Sequence, residues 1–159
     1  MNWAFLGQWG VILGFGLAAA GSALGIWRAG MAAAGAWAKD AREGRLLRFN
    51  YIIFVGAPLS QTFYALIVMN RLISVLGSST PYAGLMFGIG LATGLGEMLS
   101  AWGQGVVGAA ACRSLSESDG KGLAFLLIAI GIIETVGIFT MAFMAAMVGS
   151  VPAVEAVVP

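Results

Sequence analysis

Histidine is absent from this chain, cysteine occurs once, and only 9% of the residues are charged. Each absence excludes something. With no histidine and Cys112 alone, a typical zinc or haem site has no ligand set, and no internal disulfide can form. A soluble domain carries about 25% charged residues, so a chain that is 60% hydrophobic is read as an integral membrane protein. A net charge of +1 offers no basic footprint, which argues against nucleic acid as a partner. No basic leader precedes the first apolar run, so the chain is expected to enter its first span directly, without a cleaved signal peptide.

Long apolar runs are what the chain has instead. Residues 1–27, 49–70, 72–96 and 122–133 carry no charge. A membrane helix needs about 20 apolar residues. Four spans therefore fit, at about 9–38, 49–75, 82–112 and 122–149, and no soluble domain is left over. The fold class expected is all-α, with four transmembrane helices. Small residues recur at four-residue spacing in the first span (Gly10, Gly14, Ala18, Ser22 and Gly21, Gly25, Ala29, Ala33). A longer row, Gly88, Ala92, Gly96, Ser100, Gln104 and Gly108, is predicted to form one face of the third. Such rows let helix backbones approach closely in lipid.

Residues 39–48 are predicted to be a loop with frayed helix ends, residues 113–121 a second polar loop, and residues 77–81 an uncharged turn. The first loop holds Lys39, Arg42, Arg45 and Arg48, the second Arg113 and Lys121, and the opposite side only Arg71. By the positive-inside rule both basic loops are expected on the cytoplasmic side and the termini opposite. The chain then consists of two hairpins pointing the same way, residues 1–76 and 77–159. Shifting the sequence by 75 places Trp27 on Trp102, Gly30 on Gly105, Gly56 on Gly131 and Met69 on Met144, as a tandem duplication requires.

One acid stands in the middle of the last span. A carboxylate at mid-bilayer costs at least a few kcal/mol unless protonated or paired, so Glu134 is expected to take up and release a small cation. In the first copy the same register holds Leu59, beside Pro58. Proline within a span frees a backbone carbonyl one turn earlier, which a neighbour or an ion must satisfy. Taking Asp119 as the centre of the second turn, Gln104 lies fifteen residues before it and Glu134 fifteen after. At about 1.5 Å per residue both sit roughly 22 Å from the turn. Ser60 and Gln61 fall at the matching depth of the first hairpin. Four polar side chains thus converge on one level of a very apolar chain.

Two fused hairpins, Pro58-Leu59-Ser60-Gln61, Trp102-Gly103-Gln104-Gly105 and Glu134-Thr135 together resemble the duplicated proteolipid, the K or c subunit, of vacuolar-type and archaeal-type rotary ATPases. The fragments are similar to those of its sodium-binding members. The resemblance implies a ring of identical subunits turning against a stator that supplies an arginine, with central-stalk subunits meeting the basic loops. It implies an ion held by the Ala57 carbonyl, Ser60, Gln61, Gln104 and Glu134, with Pro58 and Thr135 in support. Serine stands at 60 where threonine is more usual. No phosphate loop occurs, so ATP is expected to bind elsewhere in such a complex.

Sodium is favoured over the proton as the cargo. A hard cation needs several oxygens to replace its water, whereas a proton needs only an acid, and polar groups without such a use are a liability in lipid. The blander alternatives are hydrogen-bonding between helices for Gln61 and Gln104, and bonding to their own helix for Ser60 and Thr135. Glu97 falls outside the resemblance. Lying about 10 Å along its helix from Gln104, it is expected not to share the ion but to be structural or to face the ring lumen, protonated or paired with Arg28 of a neighbouring hairpin. Two other functions compete: a small four-helix exchanger, which usually carries its acid in the first helix, and a structural four-span protein.

Overall fold

The computed structural model describes residues 4–76 and 80–151, so most of the predicted turn at 77–81 lies outside the described residues. Every element described is helical: α1 (Ala4–Arg42), α2 (Tyr51–Gly56), α3 (Ser60–Leu76), α4 (Ala83–Glu117) and α5 (Leu123–Gly149), with 3-10 turns at Ala57–Leu59 and Thr80–Tyr82. α2, the first of these turns and α3 together make one span, giving four helices long and apolar enough to cross a membrane. α1 and α4 form the central pair. At about 1.5 Å per residue α1, with its 39 residues, extends about 58 Å and outreaches a hydrocarbon core of about 30 Å.

Glycine sets how closely α1 and α4 pack. Gly10 faces the backbone of Met86 and Phe87, and Gly25 meets Gly105 backbone to backbone. Both predicted rows of α1 are used: Ala18, Ala29 and Ala33 are fully buried, and Ser22 nearly so. The row predicted on α4 is not one face. Gly88 has open space beside it, Gly96 faces Thr140 of α5, and it is Gly90, Gly94 and Gly105 that meet α1. A four-residue step advances about 400° around a helix, so five such steps drift by about 200°. The real α4 interface mixes steps of three and four.

The helix ends also run further than the sequence suggested. α1 continues to Arg42 and α4 to Glu117, because Asp40 is fully buried and anchors both. The Tyr51 hydroxyl donates to Asp40 Oδ2 at 2.8 Å, and Ser116 Oγ donates to Oδ1 at 3.1 Å. Arg48 and Arg45 pair with Oδ1 at 2.9 and 3.1 Å. Arg45 also donates to the Ser116 carbonyl at 2.8 Å, and Arg48 bonds Asp119. Both basic connections thus lie at one end of the bundle, as two hairpins of the same direction require. Asp119, Gly120 and Gly122 turn the chain with φ of 55°, 85° and 87°, a region glycine enters freely. Asp40→Ala leaves two arginines short of their buried anion and should lower stability by about 3 kcal/mol, read as a fall in the thermal midpoint of the detergent-solubilised protein.

Two apolar clusters fill the bundle. Tyr51, Phe54, Ala111, Cys112, Leu115 and Ile130 belong to one, and Met69, Leu72, Met86, Ile89, Ala145 and Val148 to the other. The polar residues of positions 60–64, 97–104 and 134–137 come between them in sequence on every span that carries them. α5 leaves most of its surface open: Phe125, Ile128, Ile132, Val136, Phe139 and Phe143 are all exposed, as suits a helix facing lipid or a neighbouring subunit.

A candidate cation site in the membrane

Pro58 creates the opening on which the site is built. Without an N–H it cannot continue the α-helical ladder, and the chain passes through the 3-10 turn before α3 starts. Gly108 lies against the Phe54 carbonyl, where a Cβ would stand 2.9 Å away. Ser22 of α1 donates to the Pro58 carbonyl at 2.6 Å, and Thr62 donates to Ser22 Oγ at 2.8 Å. These bonds fix the first turn of α3 against α1 and direct Ser60, Gln61 and Tyr64 toward α5.

Glu134 receives them. The Tyr64 hydroxyl donates to Glu134 Oε1 at 2.6 Å. On the other oxygen, Gln104 Nε2 donates to Oε2, and Gln61 Nε2 lies 3.2 Å from it. Ser60 Oγ is 3.1 Å from Oε2 and 2.9 Å from the Ala57 carbonyl, so its single proton can serve either. Gln61 Nε2 is also 3.3 Å from Gln104 Oε1 and 3.3 Å from Ser60 Oγ. Both glutamines are fully buried, while Ser60, Tyr64 and Glu134 are half-buried. Ser100 Oγ donates to the Ile133 carbonyl at 3.0 Å, tying α4 to α5 just beside the acid.

The residues predicted to share a depth are therefore in contact: Ser60, Gln61, Gln104 and Glu134, with the Ala57 carbonyl on Ser60. In this arrangement the two amides turn their nitrogens, not their oxygens, toward the carboxylate. Each would rotate about its last torsion to offer an oxygen to a cation. Thr135 is not brought in. Its hydroxyl donates to the Ile132 carbonyl at 2.6 Å on the exposed side of α5, the self-bonding that serine and threonine commonly make in spans. Pro58 acts only through the backbone that Ser22 holds.

Tyr64 was missed by sequence reasoning. Its ring reads as membrane apolar surface, yet it stands four residues after Ser60 and so on the same helix face, which is the signal that could have found it. Tyr64→Phe removes one hydrogen bond to a charged group, a loss of about 1.5–3 kcal/mol. The thermal midpoint of the detergent-solubilised protein should fall accordingly.

Glu97 does not face a lumen. It is fully buried and points at α5, where a Cβ on Gly137 would stand 2.7 Å from its Oε2 and closer still to Gln61 Oε1. Gln61 reaches the same space from α3, since Gly137 has no side chain to fill it. Within the chain Glu97 does not pair with Arg28. Arg28 is exposed and lines a groove of about 510 Å³ with Trp27, Trp102 and Arg113.

Four spans in two hairpins, with one hydrogen-bonded acid in the last, define a multi-pass membrane proteolipid. The sequence profile of the ATP synthase C subunit family matches this chain twice, at residues 9–70 and 87–148. The chain belongs to that family, and the double match fits a tandem duplication of its hairpin. It is 33% identical over 123 residues to the A-type ATP synthase subunit K of Methanocaldococcus jannaschii, a match covering 76% of this chain and 53% of that protein. The chain thus spans about half the length of that relative.

Proposed function

We propose that this chain is a subunit of the rotor ring of an A/V-type ATPase, carrying sodium across the membrane at Glu134. The observation that supports it is the carboxylate itself, set among Ser60, Gln61, Gln104 and Tyr64 with the Ala57 carbonyl adjoining. These residues hold more oxygen atoms than a proton would need: the Glu134 carboxylate, two amide oxygens, a serine hydroxyl and a backbone carbonyl. That number suits a hard cation stripped of its water. Membership of the ATP synthase proteolipid family and the likeness to a K subunit support the rotor role.

The bilayer supplies the coupling. A cation on Glu134 cancels its charge, so the loaded site can travel past lipid, whereas the bare carboxylate cannot without large cost. An arginine on the stator would hold the bare carboxylate during exchange, restricting release to one place. Identical copies form the ring. The basic connections around Arg45 and Arg48 face the cytoplasm and the central stalk, and ATP chemistry takes place on other subunits.

The test is ATP hydrolysis by the purified complex at fixed pH, titrated with sodium. Saturable stimulation by sodium, absent with choline at equal ionic strength, is the expected result. Activity independent of sodium down to trace levels would assign the site to protons instead.

A further inference from the structure

A groove runs along one open side of the α1–α4 pair, and every residue lining it comes from these two helices. Its two parts, of about 510 and about 270 Å³, share Ala32 and Arg113 and so continue one another. The lining changes in character from the middle of the spans toward the end that bears the basic connections. Leu24, Trp27, Trp102 and Val106 make the inner end apolar, with both indoles exposed. Ala32, Gly35 and Ala109 keep the middle shallow-walled. The outer end is charged, with Arg113, Lys39 and Glu117, and Arg28 stands between the two ends.

Gly25 meets Gly105 and Ala29 lies against Gly108, so Arg113 falls between Arg28 and Lys39 in depth, about 8 Å from each. Long basic side chains cover such a distance by leaning along their helix. Among the described residues, none of these three side chains has a hydrogen-bond or ion-pair partner. Three cations against one acid leave the groove with an excess of positive charge, and a cation within a span is costly until it meets an anion. A second copy of this chain has no described acid to offer at the depth of Arg28. Glu97 is fully buried, and Glu134 is held by Ser60, Gln61, Tyr64 and Gln104.

We infer that the groove holds an anionic phospholipid, with its phosphate at the level of Arg113 between Arg28 and Lys39. Its hydrocarbon chains lie along Leu24, Trp27 and Trp102. Basic recesses between membrane helices suit anionic headgroups, and a guanidinium matches a phosphate with two parallel hydrogen bonds. Indole rings favour the boundary where one end is wet and the other apolar. The groove therefore accepts such a lipid in one direction only, head toward the basic connections and tails inward. A zwitterionic headgroup brings its own cation and loses most of this attraction. The inference goes beyond the cation site and does not depend on what Glu134 carries.

Tryptophan quenching by chain-brominated lipids tests it on the intact ring in phosphatidylcholine bilayers. Brominated phosphatidylglycerol at low mole fraction should associate about fivefold more tightly, or better, than brominated phosphatidylcholine. The excess quenching should vanish in Trp27→Phe/Trp102→Phe. In Arg28→Gln/Arg113→Gln the preference should fall below about twofold, with ring mobility on detergent gels and quenching by the phosphatidylcholine probe unchanged. Glu117→Gln removes the acid of the groove and should raise the preference, an outcome that a damaged fold does not produce. Equal quenching by the two lipids, or a preference that survives loss of both arginines, would overturn the inference. So would quenching of neither Trp27 nor Trp102 by either lipid, which would mean that a protein surface fills the groove. Suppression of the preference by inorganic phosphate at constant ionic strength would assign the arginines to a free anion instead.

Discussion

Glu134→Gln is expected to abolish ion-coupled ATP turnover while leaving the ring assembled. The substitution keeps the shape of the side chain and removes the charge on which two amides, a hydroxyl and a phenol converge. Attraction between unit charges 4 Å apart is about 4 kcal/mol at an effective dielectric near 20, which corresponds to close to a thousandfold in affinity. An amide also places another N–H donor where a cation needs oxygen. Transport by reconstituted vesicles should fall to background, and carbodiimide, which modifies a membrane carboxyl, should no longer inhibit through this position. Ring mobility on detergent gels should not change. Residual coupled transport above a tenth of the parent would mean that another group carries the ion.

The second large effect should come from the seam between α1 and α4, beside the polar cluster. Gly105→Leu places side-chain atoms where Gly25 of α1 already has its backbone; even a Cβ alone would stand 2.7 Å from the Gly25 carbonyl carbon. Backbone cannot step aside as a flexible side chain can, so α1 and α4 must separate. Overpacking of this kind costs about 1–3 kcal/mol and more where rigid backbone is the obstacle, and close packing is what holds helices together in lipid. The damage should spread to the site, because Gly25 also lies against Pro58, with a Cβ there 2.8 Å from the proline Cβ. Thermal unfolding in detergent should shift down sharply and the fraction of intact ring should fall. Gly35→Ala, at a glycine with no neighbouring atoms within 4 Å in the subunit, should change stability by less than about 1 kcal/mol.

Spacing along a single helix converts directly into distance, and what rested on that conversion was legible in the sequence. Four spans follow from run length, and the shared depth of Gln104 and Glu134 follows from counting fifteen residues each way from Asp119. Ser60 and Gln61 were placed by Pro58 and the repeat. What needed angles or three-body contacts was not legible. A row at four-residue spacing looks straight in sequence but winds around α4, so Gly88 and Gly96 were assigned to a face they do not share. Asp40 reads as loop because its partners Tyr51, Arg48, Arg45 and Ser116 come from four places in the chain. Tyr64 hides a hydroxyl on an apolar ring. The surroundings of Glu97 were not legible either, because Gln61 arrives from α3 at the gap left by Gly137.

The most direct measurement is the rate at which Glu134 of the isolated ring reacts with a carbodiimide, followed by mass spectrometry as sodium is raised at constant pH and ionic strength. The reagent needs a protonated carboxyl, so a sodium ion held by Glu134, Ser60, Gln61, Gln104 and the Ala57 carbonyl should slow labelling along a saturating curve. Raising the proton concentration should shift that curve to higher sodium, as competition for one carboxylate demands. Labelling of Glu134 at the same rate with and without sodium, at every pH where the carboxyl reacts, would contradict the assignment of this site to sodium.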